Sequence, residues 1–350
     1  MHNCAIRARF PARQLRWTTR FPGRRFAAVR TRLTELLGIE APVMLAGMGG
    51  VSYHRLVTAV SEAGGFGCIG AGAMGEEQMV AEIAAVAEAT DKPFGVDLLT
   101  AMPGDLPSQV QSIIDGGARV FVAALGVPAE VVSMCHEADV LVANMCGKVS
   151  HALRAVDAGC DLVVAQGTEA GGHTGKVATL PLVPQIVDAV GDRVPVVAAG
   201  GIFDGRGLAA AIALGADGVW MGTRFIATHE ARAVPGFKDR ILGAREDQTT
   251  ITRAYSGKTM RVIAGSYTDE WEKARAGELK GFPDQMAVSV AEGALHMGGD
   301  EDTPGVDPER ECYPAGQGLG AIDRLESAGD VVRSVAAEAE HVLAKAAALH

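Results

Sequence analysis

The residue types that most clearly invite chemistry lie together at Gln166-Gly-Thr-Glu-Ala-Gly-Gly-His-Thr-Gly175, directly after the apolar run 161–166. Four glycines surround one imidazole and one carboxylate. Glycines that dense let a backbone pass close against a flat ligand. His173, held among them, has an imidazole suited to proton transfer near neutral pH. An isolated histidine is more often structural, so the assignment of His173 as catalytic rests on its place just past a strand and among these glycines. Glu169 reads as a residue that orients the loop through hydrogen bonds. Two further stretches, Ala198-Ala-Gly-Gly-Ile202 with Asp204-Gly-Arg-Gly207 behind it, and Trp220-Met-Gly-Thr-Arg224, pair small residues with the start of a helix. Gly200, Gly201 and Gly222 let N–H groups approach a phosphate, and the Thr223 hydroxyl adds a donor. A glycine pair alone makes only a tight turn. Found at two successive loops, the pattern favours phosphate binding.

These residues must be positioned by something, and the chain supplies a repeat. Short apolar runs at 42–46, 66–70, 94–98, 119–123, 140–144, 161–166, 195–199 and 218–221 alternate with helical stretches such as 52–63, 76–89, 128–137, 149–158, 182–190 and 205–214. Strict alternation implies parallel strands joined by crossovers, and continuous apolar runs imply sheet faces covered on both sides. Eight units are the count of a closed (β/α)8 TIM barrel rather than an open sheet. In that fold the loops at the strand C-terminal ends carry the active site, and phosphate commonly sits after strands seven and eight, where the glycine pairs fall. The barrel is expected over residues 31–228. A more polar, mostly helical insertion over 229–314 is expected to cover the active site. Residues 315–350 return to the barrel and end in a helix.

Several function classes fall away. Net charge is −10, with no basic tract in the body of the chain, so a nucleic-acid partner is not expected. No apolar stretch reaches the roughly 18 residues that span a bilayer. The six cysteines show no C-x-x-C pair and read as buried thiols of a cytoplasmic protein. The other histidines lack metal-ligand spacing, so no metal site is expected. No G-x-S-x-G element is present. Gly65-Phe-Gly-Cys-Ile-Gly70 matches G-x-G-x-x-G, but its residues form the strand itself, and the dinucleotide reading fails. Residues 1–30 hold eight arginines and no acid, the first carboxylate being Glu35; they read as a disordered extension outside the fold.

From about Leu33 to Leu325 the chain resembles the nitronate monooxygenase (2-nitropropane dioxygenase) family and its relatives, the FMN-dependent enoyl-ACP reductases. Pro42-Val-Met-Leu-Ala-Gly-Met-Gly-Gly-Val-Ser52, Gln166–Gly175 with Glu169-Ala-Gly-Gly-His173, and Pro195–Phe225 carry the resemblance, with Ala315-Gly-Gln-Gly-Leu-Gly320 as a fourth element. It implies FMN across the barrel mouth. Ala46, Gly47 and Met48 would line the flavin; Gln166, Gly171 and Gly172 would contact it. Gly200, Gly201, Trp220, Met221, Gly222 and Thr223 would hold ring edge and phosphate. Asp97 stands where the family usually has Asn, and a carboxylate donates no hydrogen bond unless protonated. Gly47 stands where many nitronate monooxygenases have Pro; it and Lys176 resemble the enoyl reductases. Two reactions follow: oxidation of alkyl nitronates with O2, or NAD(P)H-dependent reduction of an enoyl thioester or quinone. A third reading, a non-catalytic flavin or phosphate binder, gives His173 nothing to do. The substrate is a small molecule, and a homodimer is left open.

Overall fold

The computed structural model describes residues 29–101, 104–124 and 126–349. All but the last two residues of the Arg-rich start therefore lie outside the described residues. In the first half, α1 (Arg32–Leu37), β1 (Val43–Leu45), α2 (His54–Glu62), β2 (Gly67–Gly70), α3 (Glu76–Ala89) and β3 (Phe94–Leu99) are followed by α4 (Leu106–Asp115), β4 (Val120–Ala124), α5 (Ala129–Glu137) and β5 (Leu141–Cys146). Next come α6 (Val149–Asp157), β6 (Leu162–Gln166), the two-residue β7 (Gly172–His173), α7 (Thr179–Val190), β8 (Val196–Ala199), α8 (Gly205–Ala213) and β9 (Gly218–Met221). The remainder holds α9 (Thr223–Ile226), α10 (Phe237–Gly243), β10 (Thr249–Thr252), β11 (Met260–Ile263), α11 (Ser266–Lys273), α12 (Asp284–Ala291) and α13 (Ala328–Ala347).

Eight parallel strands run in the order β1-β9-β8-β6-β5-β4-β3-β2. The circle closes between its ends through a parallel bridge of Met44 with Phe66, the Phe66 N–H donating to Val43 O at 2.9 Å and the Leu45 N–H to Phe66 O at 2.8 Å. This is the expected (β/α)8 barrel. Strand alternation sorts side chains into two cores. Met44, Phe66, Val122, Val164, Val197 and Trp220 face inward, and Leu33 and Leu37 of α1 pack with them as a plug. Thr31 caps α1, and the Arg32 guanidinium meets Asp217 at 2.9 Å. Val43, Ile69, Val96, Phe121, Val163 and Met221 face outward into the layer shared with the helices. No helix among the described residues is long and apolar enough to cross a membrane.

Helix α13 lies against α8 and α2, so the C-terminal stretch completes the outer helical layer. Their approach depends on a missing side chain. A Cβ on Gly205 would lie 2.5 Å from both Ala339 N and Val335 O. Gly205→Ala is therefore expected to cost about 1–3 kcal/mol through forced separation of the two helices. A thermal melt checks this, and an unchanged midpoint would mean the helices tolerate the extra methyl.

Residues 229–314 carry helices α10, α11 and α12 and also an antiparallel hairpin, β10 with β11, that the sequence pattern did not announce. The segment has a small core of its own around Tyr255, Tyr267, Trp271 and Val262. Strand β11 also pairs with β7, Met260 opposite His173 and Arg261 opposite Gly172. The hairpin thus joins the insertion to the glycine-rich loop.

Candidate active site

One cavity of about 1270 Å³ opens at the strand C-terminal ends, between the barrel loops and residues of the 229–314 segment. His173 is in its wall. The β7–β11 pairing and a hydrogen bond from the Gln166 side-chain amide to His173 O, at 2.7 Å, fix the backbone there. The ring stands edge-on to Phe282, with centroids 5.7 Å apart. Its Nε2 is 2.9 Å from Ser256 Oγ. Ser256 Oγ also donates to Lys258 O at 3.1 Å and accepts from the Lys258 N–H at 3.3 Å. With the serine proton spent on that carbonyl, Nε2 donates to the serine oxygen. That network assigns the Nε2–H tautomer and leaves the Nδ1 lone pair without a protein partner among the described residues. Burial, and then the nearby Lys258 ammonium, push the imidazole down to about 4. The ring is neutral at physiological pH and presents an acceptor.

Glu169 does not line the cavity. Its Oε2 accepts from the Thr179 N–H and from Thr179 Oγ1, each at 2.8 Å, and so ties the loop to the start of α7. Arg261 holds the same loop by donating to Thr168 O at 2.9 Å. Gly171 is a contact point: a Cβ there would fall 2.7 Å from the Ala315 carbonyl carbon, so the loop lies directly on the 315–320 element.

The structure brings Ala46, Gly47, Met48, Asp97, Gln166, Gly171 and Gly172 to the same cavity as His173. Gly200, Gly201, Trp220, Gly222 and Thr223 line it as well. Gly200 and Gly201 have φ of 105° and 71°, conformations that favour glycine. The N–H groups of Gly201 and Gly222 find no protein acceptor among the described residues. Thr223 Oγ1 accepts from the Gly316 N–H at 2.9 Å, which leaves its own proton to donate. The unused backbone donors and the Thr223 hydroxyl make a cradle suited to an anion. Met221 is the exception: strand alternation sends Trp220 inward and Met221 into the outer core. Only the Met221 carbonyl is engaged near the site, accepting from the Ala46 N–H at 2.9 Å.

A profile of the nitronate monooxygenase family matches residues 30–108 and 105–338. The chain belongs to the nitronate monooxygenase family. The (3aS,4S,5R,7aS)-5-hydroxy-7a-methyl-1-oxo-octahydro-1H-indene-4-carboxyl-CoA dehydrogenase of Mycobacterium tuberculosis is 43% identical over 256 residues, 73% of this chain and 71% of that protein. Among solved structures, FabK from Thermotoga maritima is 34% identical with a TM-score of 0.82, covering 92% of this chain and 100% of that one. Nitroalkane oxidase from Streptomyces ansochromogenes is 29% identical with a TM-score of 0.77, covering 91% and 99%. This nitronate monooxygenase family member is thus an oxidoreductase acting on a small molecule.

Its two departures from the family pattern turn out to be neighbours. A Cβ on Gly47 would lie 2.3 Å from Asp97 Cβ and 2.7 Å from Asp97 Oδ2. Asp97 is 9% exposed, and burial raises its carboxyl to about 8. At neutral pH it is protonated, so its O–H is able to donate a hydrogen bond as an Asn amide would. Sequence reasoning did not single out Ser256, Lys258 or Asn144, all of which line the cavity. Asn144 is buried, its amide donating to Ala123 O at 2.7 Å. A polar side chain in an otherwise apolar strand was the available signal for it. The other two arrive through the hairpin.

Proposed function

We propose that this chain is an FMN-dependent oxidoreductase that oxidises alkyl nitronates with O2 to carbonyl compounds and nitrite. The observation that carries this reading is the placement of a neutral, partly buried imidazole on the same rim as a cradle of unused backbone donors. Gly201, Gly222 and Thr223 would hold the FMN phosphate, with Ala46, Gly47 and Met48 along the ring. FMN, when bound, supplies the electron acceptor and the centre that reacts with O2. The chain's own part is positional and protolytic. His173 Nδ1 takes the α-proton of a neutral nitroalkane, and Ser256 keeps the ring in the tautomer that can do so. The Lys258 ammonium, close enough to depress the imidazole, favours the negative nitro oxygens that result. The neutral Asp97 carboxyl donates to the ring system.

A second reading, NAD(P)H-dependent reduction or dehydrogenation of a thioester or quinone, is favoured by the cavity. Its 1270 Å³ exceeds the roughly 300–1,000 Å³ of ordinary small-ligand sites, and a carboxyl-CoA dehydrogenase and FabK are among the relatives. Anaerobic mixing of the FMN-loaded protein with NADH or NADPH separates the two. Under the nitronate reading the flavin absorbance near about 450 nm persists with nicotinamide and bleaches with a nitronate. Prompt bleaching by nicotinamide selects the second reading.

A further inference from the structure

Four cationic side chains line one side of the cavity and have no carboxylate partner among the described residues: Lys148, Arg154, Lys176 and Lys258. Lys148, just before α6, and Arg154, in its last turn, are exposed; Lys176 follows the His173 loop, and Lys258 sits half-buried in the hairpin turn over the Phe282 ring. They converge although they come from three segments. The loop after β5 touches the loop that bears Lys176, since a Cβ on Gly147 would be 3.5 Å from Gly175 Cα. The half-buried His151 of α6 lines the same cavity, and it is lowered by burial and then by the Lys148, Arg154 and Lys258 charges.

No carboxylate offsets this wall. Three acids line the cavity, and each is engaged elsewhere. Asp97 is buried and uncharged at neutral pH. Asp157 pairs with Arg193 at 3.0 Å. Glu311 holds His296, through Nδ1 at 2.6 Å and the backbone N–H at 3.1 Å. A protein of net charge −10 has thus concentrated uncompensated positive charge at one place. The wall is separate from the phosphate cradle after β8 and β9, which offers backbone donors rather than cations.

We propose that the Lys148–Arg154–Lys176–Lys258 wall is the subsite for the multiply phosphorylated tail of a substrate or co-substrate whose reacting end reaches His173. A pyrophosphate with one phosphomonoester carries about four negative charges at neutral pH, matching four cations. Such a tail occurs on CoA thioesters and on the phosphorylated nicotinamide dinucleotide. The proposal rests on the redox reading of this cavity in its second form above, thioester or nicotinamide chemistry, because an alkyl nitronate carries no such tail; it adds that the ligand is held by its tail as well as at its reacting end.

The test is calorimetric titration of the FMN-loaded enzyme with adenosine 3′,5′-bisphosphate, the CoA tail, and adenosine 2′,5′-bisphosphate, the dinucleotide tail. At least one binds without displacing FMN, more weakly as salt rises. The isomer that binds names the source. Its affinity falls roughly 10–100-fold in Lys148→Glu/Arg154→Glu, and by less in Lys148→Ala/Arg154→Ala, both variants keeping their FMN. Absence of binding by either bisphosphate overturns the proposal, as does equal affinity in the wild type and the charge-reversed variant. Flavin content, read from the absorbance of the same samples, reports separately on the redox reading: a colourless protein defeats that reading whatever the bisphosphates do.

Discussion

Replacing His173 with Asn is expected to lower kcat/KM on a neutral nitroalkane by roughly 10²–10⁴-fold while FMN occupancy is retained. The asymmetry follows from the geometry. The cradle of Gly201, Gly222 and Thr223 lies on other loops, and the backbone of residue 173 is held by β11 and by Gln166 whatever its side chain. Asn keeps the polarity of the position but offers no basic nitrogen. A preformed nitronate needs no deprotonation, so its turnover should fall far less than that of the nitroalkane; equal loss on both would remove the base assignment. The pH profile gives a second readout. With the imidazole at about 4, first through burial and then through Lys258, this ring contributes no inflection between about pH 5 and 8. An inflection near the ordinary histidine value that disappears in His173→Asn would contradict that environment. The sign for stability is also determined. A native-state pKa below the unfolded one means that the unfolded chain binds more protons between about 4 and 6.5, so stability falls as pH drops through that window. His173→Asn should lose this dependence.

The barrel was legible because its strands announce themselves. Runs such as Leu162-Val-Val-Ala165 are buried on both faces and need no alternation to be recognised. The cradle glycines were legible for a related reason: positive φ at Gly200 and Gly201 admits few other residues. What escaped notice depends on contacts between distant segments. Thr249-Thr-Ile-Thr252 is a half-exposed polar strand with no period to detect, and β7 is only two residues long. Their pairing with Met260–Ile263 brings Ser256 to His173 across 83 residues of sequence. No local pattern encodes that meeting. Met221 is the reverse case: the run Trp220-Met-Gly-Thr223 reads as one motif, but period-two alternation in β9 sends its first two side chains to opposite faces.

Asp97→Asn is expected to raise stability increasingly as pH climbs from about 4 to about 8, and by a constant amount above that. The carboxyl is buried against Gly47 with burial as the cause of its shift, so the native state keeps its proton until about pH 8. The unfolded chain releases that proton near the ordinary carboxylate value. Between those limits the native state binds more protons, and each unit of rising pH costs the fold up to about 1.4 kcal/mol. Asn has nearly the same shape and a permanent donor, but nothing to ionise. Stabilities of the two proteins should therefore coincide below about pH 4 and diverge steadily up to about pH 8; a constant difference across the range would mean that Asp97 is not held protonated. The proposed FMN gives an independent measure at the same position. Ionisation above about pH 8 replaces a donor with a negative charge, so wild-type FMN affinity should weaken there while that of Asp97→Asn stays level. At the proposed flavin contact, the departure at residue 97 then sets the pH above which the position can no longer donate a hydrogen bond.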